Sequence, residues 1–260
     1  MKLLLAFLAL ILLNNSPANA QRRPDVTGVA LTQKVGASLP PESVFIDADG
    51  RDVRIGELFD HAPIVLVLGY FHCEKLCGVT RLTLLRAAQK AGLSAGSDYV
   101  FVAISIDPAE SVEAAKGARD MDFAAASPTG TADGFRYLAG KADDIRETAE
   151  AVGFHYRDGA RAQTFVHPIG AVLVTPSGVI SSYLSAIGSA PEEMSAAIHA
   201  AAARKVAARV SPALLLCFDF DSATGRYTFA IIKFLRLGAI VMTFAIAAII
   251  YREFRKGARA

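Results

Sequence analysis

The sequence predicts an α/β domain, and three observations predict it. Pro63 to Tyr70 and Tyr99 to Ile106 are continuous apolar runs, as expected of strands buried on both faces. Each is followed by a stretch with helical spacing. A later pair of short apolar runs around Pro176-Ser177-Gly178 carries a hairpin signal.

Taken in order, Ser43 to Asp47 and Asp52 to Ile55 make a small hairpin across Asp49-Gly50, because an Asp-Gly step lets the chain reverse with positive φ. The run PIVLVLGY is the first buried strand. A helix from Thr80 to about Lys90 follows, with Leu82, Leu84, Leu85 and Ala88 as its apolar positions. The run YVFVAISI is the second buried strand, ended by Asp107-Pro108, and Ala109 to Asp120 reads as a helix. Lys141 to Val152, with Ile145 and Ala149 inward, is a further helix ended by Gly153.

Gly170 to Val174 and Val179 to Leu184 are the hairpin strands. The last soluble helix is expected to open at Ser189, with Pro191 in its first turn and Glu192 completing a capping box, and to run to about Ala208. This order of elements is that of a thioredoxin-like sheet. There is no internal repeat, and Arg22 to Pro41 reads as a flexible linker.

The two ends are apolar. Met1-Lys2, the apolar run Leu3 to Leu13 and the small-residue step Ala18-Asn19-Ala20 describe a secretory signal peptide over residues 1–20. Phe234 to Tyr251 is long enough for a slightly short transmembrane helix, and Arg252, Arg255, Lys256 and Arg259 follow it. A basic cluster after an apolar span marks the cytoplasmic end. The expected organisation is a linker over 21–42, the domain over 43–209, a juxtamembrane segment over 210–233, the span over 234–251 and a cytoplasmic tail over 252–260. The domain would then lie outside the cytoplasm, facing the periplasm from the inner membrane. A formal charge of +2 over 260 residues, with both signs interspersed, argues against a nucleic-acid partner.

Of three cysteines, Cys73 and Cys77 stand four residues apart at the expected strand-to-helix junction, in a chain bound for an oxidising compartment. A helix N-terminus carries partial positive charge and free N–H groups, which favour the thiolate needed for nucleophilic attack or metal ligation. Three readings compete: a structural disulfide, a thiol-disulfide reductant and a soft-metal site. The spacing does not choose among them, although a disulfide here would close only a tiny loop and stabilise little.

Metal against redox turns on a third ligand, for which His167 in QTFVHPIG is the best candidate. In a thioredoxin-like fold the loop entering the hairpin strands comes close to the cysteine-bearing helix mouth. Two sulfurs and one nitrogen suit copper(I), whereas structural zinc usually takes a fourth protein ligand. Asp107 ends a strand at the carboxyl edge of the sheet, where α/β proteins place functional groups. It and His72, beside Cys73, are possible supporting residues.

Thr80 and Arg81 could support a peroxidatic cysteine, but the second thiol stands too near the first to resolve it in the usual way. Cys217 reads as a buried, inert thiol. His61, His155 and His199 belong to no arrangement that suggests a site.

The segments GYFHCEKLCGVT, SIDP at Ser105 to Pro108, FVHP at Phe165 to Pro168 and PSGVISSYL at Pro176 to Leu184 together resemble the Sco/SenC family of copper proteins. The resemblance spans Ser43 to the last soluble helix. It implies a thioredoxin-like fold, copper bound through Cys73, Cys77 and His167, and a role in assembling the dinuclear copper centre of cytochrome c oxidase. The implied function is a metallochaperone that delivers copper to the copper-accepting oxidase subunit. The alternative is a membrane-anchored thiol-disulfide oxidoreductase in which Cys73 and Cys77 are a redox-active pair acting on the cysteines of that subunit. Many family members carry prolines beside the cysteines, where this chain has Glu74 and Gly78.

Overall fold

The computed structural model describes residues 27–72, 77–159, 164–185 and 190–207, the two-residue strands Phe220–Asp221 and Arg226–Tyr227, and Met242. The expected signal peptide, the transmembrane segment, the basic tail, Cys73 and Cys217 lie outside the described residues, as does the side chain of Cys77. Among the described residues no helix is long and apolar enough to cross a membrane.

The domain is built on a seven-stranded sheet. Its elements are β1 (Ala30–Leu31), β2 (Val44–Asp47), β3 (Asp52–Arg54), β4 (Ile64–Gly69), α1 (Cys77–Lys90), β5 (Val100–Ser105), α2 (Val112–Ala126), β6 (Phe135–Gly140) and α3 (Ala142–Ala151). There follow β7 (Phe154–His155), β8 (Arg157–Asp158), β9 (Phe165–Val166), β10 (Ala171–Val174), β11 (Ile180–Leu184) and α4 (Pro191–Ala202). The main sheet has the order β11-β10-β4-β5-β6-β2-β3. Strands β4, β5 and β6 run parallel, and the outer pairs are antiparallel.

Alternation along the central strands divides the core in two, since successive side chains of a strand point to opposite faces. Val65 and Val67 of β4, with Phe101 and Ala103 of β5, pack against Leu84, Leu85 and Ala88 of α1, Ala115 and Ala118 of α2, and Met194 and Ile198 of α4. Ile64, Leu66 and Leu68 of β4, with Val100, Val102 and Ile104 of β5, face Ile145 and Ala149 of α3. Both expected apolar runs are thus buried on two sides.

The two turns expected from sequence form around glycines in the left-handed region. Gly50, at φ 79°, lets Asp47 close the first hairpin: Asp47 Oδ1 accepts from the N–H groups of Asp49 and Arg51, each at 2.9 Å. Gly178, at φ 78°, reverses the chain between β10 and β11, and a Cβ there would meet the Phe59 ring at 2.5 Å.

Several boundaries differ from the expectation. Helix α1 starts at Cys77 rather than Thr80, so Cys77 itself stands in its first turn. Helix α2 begins after Ser111, whose hydroxyl accepts from Ala114 N–H, and it extends to Ala126. Helix α4 takes Pro191 in its first turn as expected, and its N-cap is Ala190, which has no side-chain acceptor; Ser189, where the helix was expected to open, lies outside the described residues. The helix stops at Ala202, six residues short. Arg204 turns at φ 54°, and the chain then docks on β11 through Ala207 N–H to Ser181 O and Ser181 Oγ to Lys205 O.

Strand β6 was not expected, yet it lies between β5 and β2. Part of the segment expected as a linker is packed. Strand β1 pairs with β7, Gly36 N–H donates to Ile180 O, and Leu39 is buried.

Candidate metal centre

Parallel pairing of β4 with β5, from Ile64↔Val100 to Gly69↔Ser105, brings both carboxyl ends to one edge of the sheet. The chain leaving β4 there is the arm that leads to Cys73. Phe71 is buried on it, with its ring 6.1 Å from that of Tyr137 and 5.6 Å from the Arg81 guanidinium. Five residues beyond His72, where the described part of the arm ends, Cys77 opens α1, whose first turn carries no acidic residue. A helix N-terminus of this kind biases a thiol toward thiolate.

His167 comes from the other side of the same edge. Antiparallel pairing of β10 with β4, from Val172↔Leu66 to Val174↔Ile64, places the entrance of β10 beside the exit of β4. His167 stands four residues before β10. Its ring meets Tyr70 edge-on at 5.8 Å and stacks on Phe154 at 5.9 Å. A small crevice beneath is lined by His167, Pro168, Phe71 and, from α1, Thr80 and Arg81. The tertiary structure therefore brings His167 to the mouth of the helix that Cys77 opens.

Burial lowers the pKa of His167, while its contact with the Pro168 carbonyl works in the opposite direction. That contact, 2.8 Å from Nδ1 to Pro168 O, requires Nδ1 to be the donor. The neutral ring then carries its lone pair on Nε2, the form in which imidazole ligates a metal. The donor chemistry fits a soft cation beside two thiolates.

Asp107 is buried, and its carboxylate is engaged locally: Oδ1 accepts from Ala109 N–H at 2.8 Å, and its carbonyl accepts from Glu110 N–H. His72 has a side chain 75% exposed, with Nδ1 3.0 Å from Glu110 Oε1.

Glu110 is the residue that the sequence did not single out. Its buried carboxylate accepts from Phe71 N–H at 2.8 Å, from His72 N–H at 2.7 Å, from the Ser105 hydroxyl, and from His72 Nδ1. Nothing in SIDPAES marks it, because a glutamate two residues after an Asp-Pro step reads as the exposed start of a helix.

Arg81 sits one turn along α1 from Cys77, but its guanidinium is turned inward. Nε pairs with Asp122 Oδ2 at 2.6 Å, and Tyr137 OH donates to the same oxygen at 2.8 Å. His61 and His199 are exposed, and His155 lies in β7, where it pairs with Ala30 of β1. Among the described residues, no three His, Cys, Asp or Glu side chains form a metal cluster.

A family described as SCO1/SenC matches residues 36–203. No curated protein sequence matches the chain. Among solved structures, a putative electron transfer protein from Aquifex aeolicus VF5 is similar with a TM-score of 0.58 at 21% identity, over 65% of this chain and 95% of that one. A SCO1/SenC family lipoprotein from Bacillus anthracis str. Ames gives 0.53 at 18% identity, over 66% and 99%. Arabidopsis thaliana ScoI, solved with copper bound, gives 0.52 at 19% identity, over 65% and 99%. These likenesses carry the fold, an α/β thioredoxin-like sheet.

Proposed function

The chain belongs to the SCO1/SenC family, and we propose that it is a copper metallochaperone that delivers copper to the dinuclear site of cytochrome c oxidase during assembly. Copper is the cargo, held as copper(I) by Cys73, Cys77 and His167. The observation that carries this reading is the neutral His167 imidazole at the mouth of α1, backed by Tyr70 and Phe154. A dithiol reductant has no need of an imidazole there. Two thiolates and one nitrogen match the preference of copper(I) for soft, low-coordinate sites. The similar ScoI from Arabidopsis thaliana, solved with copper bound, supports the choice of metal.

In this reading each part of the chain has a task. Helix α1 presents Cys77 at a terminus that favours thiolate. The Pro168 carbonyl holds His167 in the tautomer with Nε2 as the ligating atom. The apolar residues around the imidazole keep it neutral and exclude water. The segment over 234–251 tethers the domain to the membrane, with the copper site on the periplasmic side and the basic tail in the cytoplasm.

The experiment is anaerobic copper(I) loading of the full chain, with metal stoichiometry, thiol titration and X-ray absorption read together. One copper per chain in a sulfur-rich shell with one nitrogen is expected, and Cys73→Ala or Cys77→Ala should abolish stable binding. Weak copper binding by the wild type, together with reduction of a protein disulfide that needs both cysteines and proceeds without His167, would put the oxidoreductase reading ahead.

A further inference from the structure

The carboxylate of Glu110 has only 3% of its side chain exposed, and every strong contact it makes concerns the approach to Cys73 or the mount that holds it. A buried carboxylate is costly unless its oxygens are fully hydrogen-bonded. Here both are. Oε2 takes Phe71 N–H and the Ser105 hydroxyl, and Oε1 takes His72 N–H and His72 Nδ1.

The mount is rigid. Glu110 N–H is tied to the Asp107 carbonyl, the Asp107 carboxylate closes its own turn on Ala109 N–H, and Ser111 caps α2 immediately afterwards. The bonds come from the consecutive N–H groups of Phe71 and His72, the two residues before Cys73 in the chain.

We propose that Glu110 is a positioning residue of the copper site: it fixes the peptide N–H groups of Phe71 and His72, the two residues that precede the proposed ligand Cys73 in the chain. The proposal rests on the reading of Cys73 as a ligand. Packing alone does not fix these groups. The Phe71 ring anchors the arm against Tyr137 and Arg81, and Tyr70 packs on His167, but ring contacts do not fix the planes of the peptide groups as hydrogen bonds do. An arm that must be ordered on binding loses affinity to conformational entropy, and an arm ordered beforehand does not.

Glu110→Gln discriminates well because each carboxylate oxygen serves one backbone N–H, so an amide must set its own NH2 against one of them. In the full chain, Glu110→Gln should weaken copper(I) binding by about tenfold or more, as removal of outer-shell partners does. It should also change the ratio of Cys73 to Cys77 alkylation rates in the metal-free protein, a readout that a loss of global stability alone does not move. His72→Ala keeps both peptide bonds and should have the smaller effect on both readouts.

Unchanged copper(I) affinity and an unchanged alkylation ratio in Glu110→Gln would overturn the proposal. If the wild type takes up no copper(I), the metallochaperone reading fails, and the alkylation ratio still decides the role of Glu110. Should Glu110→Gln not fold, Glu110→Asp keeps the charge, draws the oxygens back by one methylene and carries the same comparison.

Discussion

Tyr70 and His167 meet edge to face at 5.8 Å, although 97 positions separate them in the chain, and this contact joins the arm that leads to Cys73 with the loop that enters β10. It brings together the two halves of the proposed ligand set.

His167→Ala should separate the two oxidation states of copper. Copper(I) tolerates two-coordinate thiolate binding, so its loss should be mild. Copper(II) prefers nitrogen and oxygen ligands, so its binding should fall further. Competition titrations in each oxidation state check this, and copper(II) binding indifferent to the substitution would remove His167 from the site.

Stability of the metal-free protein should fall as the pH drops below neutrality, and His167 should contribute to the slope. Burial holds its folded-state pKa below the ordinary value of about 6.5. In the window between the two values the unfolded chain binds the extra proton, so stability rises with pH there. The contribution is full above the unfolded value and is lost as pH falls toward the folded one. Urea midpoints measured across pH 5 to 8 should show a flatter profile for His167→Gln than for the wild type. Identical slopes would refute this.

Asp122→Ala should be strongly destabilising, by about 3–5 kcal/mol, because it leaves the Arg81 guanidinium buried without its counter-charge. It also removes the acceptor of Tyr137 OH, whose pKa is raised by burial and then by the neighbouring Asp122 charge. Replacing the pair together, as Arg81→Met with Asp122→Leu, should cost less than the single change. Chemical denaturation of the three proteins decides it.

If the proposed topology holds, with a signal peptide over 1–20 and a basic tail in the cytoplasm, an alkaline phosphatase fusion at Ala208 should be active in intact cells. Activity from a cytoplasmic reporter at the same position would reverse the topology.

Much of the fold was legible because its signals are local. The runs PIVLVLGY and YVFVAISI are buried on both faces whatever surrounds them, and Asp49-Gly50 and Gly178 turn the chain through their own backbone preferences. Strand β6 was not legible: FRYLAG carries Arg136 and ends in Gly140, and only pairing with β5 and β2 makes it a strand. The early end of α4 was hidden too. Alanines through 208 favour helix, but the docking of Lys205 to Ala207 on β11 overrides that preference.

The sequence by itself determined which residues are candidates for the chemistry, since two cysteines four residues apart after an apolar run and a histidine before a proline are visible as residue types and spacings. Only the tertiary structure decided which groups stand around them. Pairing of β4 with β10 carries His167 to Tyr70 and to the first turns of α1, and pairing of β4 with β5 carries Glu110 to the peptide groups of Phe71 and His72. A buried carboxylate looks like any other glutamate in a sequence. It gains its meaning from donors that lie 38 and 39 positions away and are brought to it by strand register, which no local pattern encodes.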